Sequence, residues 1–205
     1  VLVAIGLHPQ PLARADAQDL FATARVNGQK LVMDRDQLLA AAPSDRCLGL
    51  FGEGKLPYTI DHRQSRTLRE QVPTLSEMTA YALACLRDRG EGFFLMVEAA
   101  RVDHAAHVND AAAMLWDQLA FDDAVGVAHQ FAGGRDDTLL IATTDHGNAN
   151  PGLNGMGERY AGSTEAGRRL ALAKSSFAAL AEPLMLAAAR GSADDPPDPA
   201  HRQIV

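Results

Sequence analysis

Five carboxylates and imidazoles follow the most apolar runs of this sequence and are its residues best suited to chemistry. Glu98 comes directly after one run, and Asp103 and His107 lie within the next ten residues. Asp145 and His146 come just after a second run. Oxygen and imidazole donors without thiolates suit zinc together with a harder ion such as magnesium. The set predicts an open site for metal-assisted hydrolysis, in which cations lower the pKa of water or a hydroxyl and neutralise phosphoryl oxygens.

Each of these residues also has an ordinary structural interpretation. Asp103 and His107 are four positions apart, which puts both on one face of a helix, where such a pair is most often a simple charge pair. An Asp-His pair after a strand is commonly a turn or a helix cap, and a Glu after a strand is often a cap. A metal site is favoured because the surrounding elements are predicted to bring all five residues to one edge of a sheet.

These elements form a predicted strand–helix–strand unit. The continuous apolar runs 93–97 and 138–143 are typical of strands buried on both faces of a parallel sheet. Between them, Asp110 can cap a long helix that ends at Phe131, before a Gly-Gly pair. A crossover of this kind makes the two strands parallel, so their carboxyl ends share the rim where open α/β sheets bind ligands.

Local signals predict further helical features. Thr74 and Glu77 form a capping box and Gly90 is the expected left-handed stop, so a helix is predicted over 74–89. Helical spacing also occupies 163–189. The predicted buried stripe of the long helix consists of Met114, Leu115, Leu119, Ala120, Val125 and Ala128.

The first part of the chain is predicted to be connected α/β structure. Short apolar runs at 1–7, 30–33 and 47–51 predict strands, and helical spacing occupies 16–24 and 36–42. The sequence begins without Met on an apolar run typical of an interior strand, so we expect it to be part of a longer chain.

The composition excludes several classes of protein. Lys plus Arg total 19 and Asp plus Glu total 26, so 19 − 26 gives a formal net charge of −7 over 205 residues. This argues against nucleic acid or an anionic membrane surface as a partner. The longest apolar runs are far shorter than the roughly 20 residues that cross a bilayer. Cys47 and Cys85 form no CxxC pair, and two buried thiols are expected rather than a disulfide.

Several segments resemble the C-terminal half of the alkaline phosphatases. They are the run 92–107 with its Glu-x4-Asp-x3-His spacing, Leu-Ala-Phe-Asp-Asp-Ala-Val at 119–125, Thr-Asp-His at 144–146 and Pro-Thr-Leu-Ser-Glu-Met-Thr at 73–79. The resemblance implies a three-layer αβα sandwich with a mostly parallel sheet, incomplete in this sequence. Residues 1–190 would then be the C-terminal portion of the catalytic domain, and the Pro- and Asp-rich stretch 191–205 a flexible tail or linker.

The resemblance also implies two zinc ions and one magnesium ion. Their ligands would be Asp103 and His107 for the first zinc, Asp145 and His146 for the second, and Glu98 for the magnesium. His104 stands where the family has a Lys or His near the phosphate, often through water. The family further implies a homodimer, export to the periplasm or the cell exterior, and hydrolysis of phosphate monoesters through a phosphoserine intermediate.

The sequence departs from the family at the nucleophile. The Asp-Ser-Ala type motif that carries the family's serine does not occur: Ser44 precedes Asp45, and the Ser-Ala-Asp at 192–194 has the wrong order. The serine, the phosphate-binding Arg and a Thr ligand are therefore expected upstream of this stretch, which alone is expected to be inactive. The third ligand of the first zinc is a His in the family. His201 is a candidate, but that ligand is expected beyond Val205.

Three kinds of function stay open on the sequence. The resemblance favours a phosphomonoesterase. Another member of the superfamily, a phosphodiesterase, sulfatase or mutase, would use a similar metal core. A truncated, non-catalytic fragment would keep the ligands without a nucleophile. The loop 147–157 departs from the better-known family members, so no substrate preference is implied.

Overall fold

The structure, a computed structural model, describes residues 2–3, 18–43, 46–52, 54–88, 90, 92–152 and 161–190. Within these residues the sheet has three short parallel strands, β1 (Leu2–Val3), β2 (Lys30–Val32) and β3 (Cys47–Gly49), in the order β1-β3-β2. Leu48 of β3 pairs with Leu2 on one side and with Leu31 on the other. These strands confirm the three apolar runs predicted in the first part of the chain.

Helices make up most of the described structure. They are α1 (Leu20–Val26), α2 (Arg35–Ala40), α3 (Thr59–Gln64), α4 (Arg66–Gln71), α5 (Leu75–Leu86), α6 (Ala100–His107), α7 (Ala111–Ala132), α8 (Ala161–Leu172) and α9 (Phe177–Arg190). The helical stretch predicted over 163–189 is thus two helices, and Pro183 lies inside the second.

Capping side chains set the starts of α5 and α7. Thr74 Oγ1 accepts from the Glu77 amide at 3.2 Å, and Glu77 Oε2 accepts from the Thr74 amide at 2.9 Å, which is the predicted capping box. Asp110 accepts from the Ala113 amide at 3.0 Å at the start of α7. Both helices confirm the predictions to within a few residues, and Gly90 has the expected positive φ of +72°.

The long helix α7 is central to the packing, since α3, α5, α6 and α8 all contact it. One core cluster joins the sheet to α5 and contains Val32, Leu38, Ala41, Cys47, Phe51, Leu56, Val72, Met78, Tyr81 and Cys85. A second cluster joins α3, α6 and α7 and contains Tyr58, Ile60, Ala105, Ala112 and Ala113. Because Ala105 belongs to this second cluster, it anchors the helix that carries Asp103 and His107.

The strands predicted at 93–97 and 138–143 are not formed in this structure. Both segments are irregular, and among the described residues no backbone hydrogen bond involves them. Phe94 is 89% exposed and Leu139 is 83% exposed, where burial was predicted. A strand needs a hydrogen-bonded neighbour along its length, whatever its apolar content, and the described sheet includes neither run.

The predicted buried stripe of α7 is also wrong. The buried residues of this helix are Ala112, Ala113, Asp117 and Ala124. Leu119 is 54% exposed, and the other five predicted residues are half-buried. Helices that pack closely need small side chains at the contact, so the alanines turn inward and the larger side chains lie at the margins.

The cysteine prediction is confirmed, because Cys47 and Cys85 are both buried thiols and form no disulfide among the described residues. In the part of the chain that the structure describes, no helix has the length and apolar character needed to span a membrane. The tail predicted at 191–205 lies outside the described residues. The division of the chain at residue 190 therefore stays a prediction.

Candidate metal centre

Asp103 and His107 lie on one face of α6, as their spacing predicts. The helix ends at a tight corner, where Asn109 has a φ of +57° and Asp110 caps the following α7. Asn is one of the few residues that adopts this left-handed conformation readily. Since Ala105 is buried against the core, the side chains of Asp103 and His107 lie on the more exposed side of the helix.

Asp103 is the meeting point of side chains from two distant segments. Its Oδ2 lies 3.4 Å from Nε2 of His107. Its Oδ1 accepts a 3.0 Å hydrogen bond from Asn148 Nδ2 and lies 4.0 Å from His146 Nε2. Nε2 of His146 also lies 3.5 Å from Asp145 Oδ2. The structure therefore brings together four of the five predicted ligands. These come from two segments that are distant in sequence, since the hydrogen bond that joins the segments links Asp103 to Asn148, 45 positions away.

The distances within the two Asp–His pairs suit metal ligands. Two donors bound to one zinc at about 2.0–2.2 Å lie roughly 3.2–3.6 Å apart in tetrahedral geometry. The Asp103–His107 and Asp145–His146 pairs are 3.4 and 3.5 Å apart. Among the described residues, no group of three or more His, Cys, Asp or Glu side chains is arranged to hold one ion. Each pair thus offers two donors and would need further ligands to complete a four-coordinate site.

The two pairs are open to solvent. The exposed fraction of the side chains runs from 39% at Asp103 to 87% at Asp145, so solvent screening limits what these ion pairs add to stability. The hydrogen bond from Asn148 is the largest cause that lowers the pKa of Asp103, and the nearby His107 and His146 lower it further. Asp103 is therefore held in the ionised form that a metal ligand requires.

Glu98 stands apart from the two pairs. None of the contacts among the described residues joins its carboxylate to the other four predicted ligands. Its charge acts on His104 instead. Burial lowers the pKa of His104, as do the charges of Lys55 and Arg101, while Asp103 and Glu98 oppose this shift. His104 Nδ1 lies 3.3 Å from Arg101 Nη1.

Two residues of this region, Asn148 and Arg101, were missed by the sequence predictions. Asn148 lies two positions after His146, and this closeness to a predicted ligand was the signal for it. Arg101 lies three positions before His104 on α6, a spacing at which helical side chains contact each other.

Comparisons with known proteins point to one family. The family model described as alkaline phosphatase matches residues 8–183. The repressible alkaline phosphatase of Saccharomyces cerevisiae is 37% identical over 147 residues, which cover 65% of this chain and 25% of that protein. Streptomycin-6-phosphate phosphatase of Streptomyces griseus is 37% identical over 147 residues, 62% of this chain and 33% of that protein. The crystal structure of Thermus thermophilus alkaline phosphatase matches with a TM-score of 0.75 and 38% identity, covering 85% of this chain and 37% of that one.

The chain belongs to the alkaline phosphatase family, because the family model spans most of its length. The predicted fold class is confirmed, since the helix-rich structure with its small parallel sheet is an incomplete form of the α/β fold of these proteins. The chain spans between 25% and 37% of the length of these three relatives.

Proposed function

We propose that the protein containing this chain hydrolyses phosphate monoesters with the help of bound metal ions, and that this chain supplies metal ligands. The observation that carries the proposal is the pair of neighbouring carboxylate–imidazole sets, each at ligand spacing, in a chain of the alkaline phosphatase family. Oxygen and imidazole donors of this kind suit zinc, and an open coordination position is what hydrolysis requires.

The ligand assignment follows the two pairs. Asp103 and His107 are assigned to one zinc, Asp145 and His146 to a second zinc, and Glu98 to a magnesium ion. The 4.0 Å between His146 Nε2 and Asp103 Oδ1 makes the two pairs neighbours. Bound ions of this kind activate a nucleophile and neutralise charge on phosphoryl oxygens. The assignment of Glu98 rests on the family resemblance alone.

The residues of this chain would act by binding and orienting. Asn148 fixes the carboxylate of Asp103 through its hydrogen bond. His104 is proposed to donate a hydrogen bond to a phosphoryl oxygen of the substrate. The serine nucleophile is proposed to come from a part of the protein outside this sequence. Its oxygen would form a bond to phosphorus as the alcohol leaves, and water would then cleave that bond to release phosphate.

The test uses the whole protein, a chromogenic phosphate monoester and measurement of bound metal by mass spectrometry. His107→Ala and Asp145→Ala should each lower kcat/KM by at least about a hundredfold and remove one zinc equivalent. His129→Ala, which removes an exposed imidazole from α7, is the matched control and should change neither quantity. Unchanged rate and metal content in the ligand variants would refute the assignment.

Further arms of the same assay separate the rival activities. A chelator should abolish hydrolysis, and added zinc and magnesium should restore it. Faster turnover of a phosphate diester or a sulfate ester than of the monoester would replace this proposal by another activity of the superfamily. Chelator-sensitive hydrolysis by the 205-residue chain alone would contradict the expectation of a serine from elsewhere.

We also propose that the protein is a homodimer in the periplasm or outside the cell. Both statements rest on the family resemblance. Sedimentation equilibrium of the whole protein tests the first, and activity measured in separated cell fractions tests the second. A monomer, or activity confined to the cytoplasmic fraction, would overturn the respective statement.

A further inference from the structure

The Arg101 side chain contacts an aromatic ring and an imidazole. Its guanidinium carbon lies 3.5 Å from the centroid of the Tyr58 ring, which is a close cation–π contact. Its Nη1 lies 3.3 Å from Nδ1 of His104, three positions further along α6. Arg101 therefore connects the core residue Tyr58 to the half-buried imidazole of His104.

The chemistry of this contact defines where His104 carries its proton. A guanidinium has only N–H donors, so the imidazole nitrogen that faces it must accept. Nδ1 of His104 is therefore the unprotonated nitrogen, and the neutral ring carries its hydrogen on Nε2. A guanidinium at this distance selects one tautomer and also restrains rotation of the ring.

Arg101 is held in place by the core on its other side. Tyr58 is only 5% exposed and belongs to the second core cluster. The next residue, Thr59, donates to Asp117 from its amide at 3.2 Å and from its hydroxyl at 2.7 Å. The negative charge of Asp117 interacts with Arg101. The Tyr58 ring, against which Arg101 stacks, is thus fixed by core packing and by the hydrogen bonds of the adjacent Thr59 to Asp117.

The Nε–H donor of Arg101 has no partner among the described residues, which is unusual for a purely structural residue. The Nε atom is buried. A buried donor without a partner is unfavourable, so hydrogen bonding to the core does not explain the position of this side chain. The contact with His104 is a reason for the guanidinium to lie where it does.

We propose that Arg101 is a positioning residue that holds His104 in the Nε2–H tautomer, so that this N–H serves as the donor to a phosphoryl oxygen. The part of this inference that concerns the substrate rests on the function proposed above. The tautomer itself does not, because it follows from the contact between Arg101 and His104.

The first experiment measures the tautomer directly by long-range ¹H–¹⁵N correlation of the His104 ring in the whole protein at pH 8. The wild-type ring should show a protonated Nε2 and an unprotonated Nδ1. Arg101→Met should shift both ¹⁵N resonances toward an averaged mixture of tautomers. Arg63→Met is the matched control, because Arg63 stacks over Trp116 at 4.3 Å, and it should leave the His104 resonances unchanged. If Arg101→Met does not fold, Arg101→Gln, which is polar but too short to keep the contact, replaces it.

The second experiment is a double-mutant cycle on phosphate monoester hydrolysis in the whole protein. His104→Gln and Arg101→Met should each lower kcat/KM about tenfold, and the double variant should be no worse than His104→Gln alone. Additive losses, or a His104 tautomer that does not respond to Arg101→Met, would overturn the inference. If Arg101→Met changes the His104 tautomer but the protein has no phosphatase activity, the proposed function is wrong. The role of Arg101 in positioning His104 then still stands.

Discussion

Asn148 Nδ2 donates a 3.0 Å hydrogen bond to Asp103 Oδ1, and this bond ties the loop after Asp145 to helix α6. The other oxygen of the carboxylate, Oδ2, lies toward His107. Hydrogen bonds to the oxygens of a metal-binding carboxylate fix its orientation. Asn148 therefore holds Asp103 with one oxygen directed to its own helix and one to the neighbouring segment.

The first prediction concerns this hydrogen bond. Asn148→Ala should weaken zinc binding by the whole protein about tenfold, because Asp103 loses the partner that orients it. Competition against a chromophoric zinc indicator measures the effect. Gln118→Ala, which removes an exposed amide from α7, is the control and should bind zinc like the wild type. Equal zinc affinities of Asn148→Ala and the wild type would show that the bond has no role in metal binding.

The second prediction concerns the pH dependence of stability. Burial raises the pKa of Asp117 to about 6, although Thr59 donates two hydrogen bonds to it. The unfolded carboxyl has a pKa of about 3.9, so the folded state holds the proton more tightly. The free energy of unfolding should therefore fall as the pH rises from about 4 to about 6, by up to about 3 kcal/mol from this group.

Asp117→Asn tests this dependence, since the amide keeps an oxygen acceptor for Thr59 and does not titrate. Urea unfolding at pH 4.5 and pH 8 should show a smaller loss of stability for the variant than for the wild type. Asp122→Asn, an exposed carboxyl of the same helix, should keep the wild-type difference. If Asp117→Asn lost as much stability between pH 4.5 and pH 8 as the wild type does, groups other than Asp117 would cause the pH dependence.

The third prediction concerns the fully buried carboxylate of Asp110, which links the starts of two helices. It accepts from the Ala113 amide at 3.0 Å in α7 and from the Phe177 amide at 2.6 Å in α9. Asp110→Ala should lower the free energy of unfolding by about 2–4 kcal/mol, because it removes a cap and leaves buried amides without an acceptor. Asp110→Asn keeps one oxygen acceptor and should lose less. Chemical denaturation measures both, and a loss below about 1 kcal/mol for Asp110→Ala would contradict the prediction.

The fourth prediction concerns the exposed apolar side chains of 93–97 and 138–143. Phe94 is 89% exposed and Leu139 is 83% exposed, so the 205-residue chain should self-associate through these segments. Phe94→Ser combined with Leu139→Ser should reduce association in sedimentation velocity. Val26→Ser, which removes an 86% exposed side chain elsewhere, should not. Association that is insensitive to the double substitution would place the contact on another surface.

Features that depend on neighbours in sequence were predictable. The capping box of Thr74 and Glu77 and the cap at Asp110 act within one turn, so they define helix starts before any tertiary contact exists. The four-residue spacing of Asp103 and His107 likewise needs only the helical repeat to bring the side chains together. These local interactions explain why the helix starts and the placement of Asp103 and His107 on one helix face were predicted correctly.

Features that depend on distant partners required the tertiary structure. The apolar content of 93–97 and 138–143 predicted strands, but a strand exists only with a hydrogen-bonded neighbour, which the described sheet does not provide. The inward face of α7 was decided by how closely its neighbours approach, which favoured alanines over the larger residues. The hydrogen bond of Asn148 to Asp103 closes over 45 positions, so the closeness of Asn148 to His146 in sequence signals the region of the site but not this partner. Helical backbone geometry repeats every few residues, so it can be predicted from one segment of sequence. The contacts of a side chain depend on the packing of the whole chain, so they cannot.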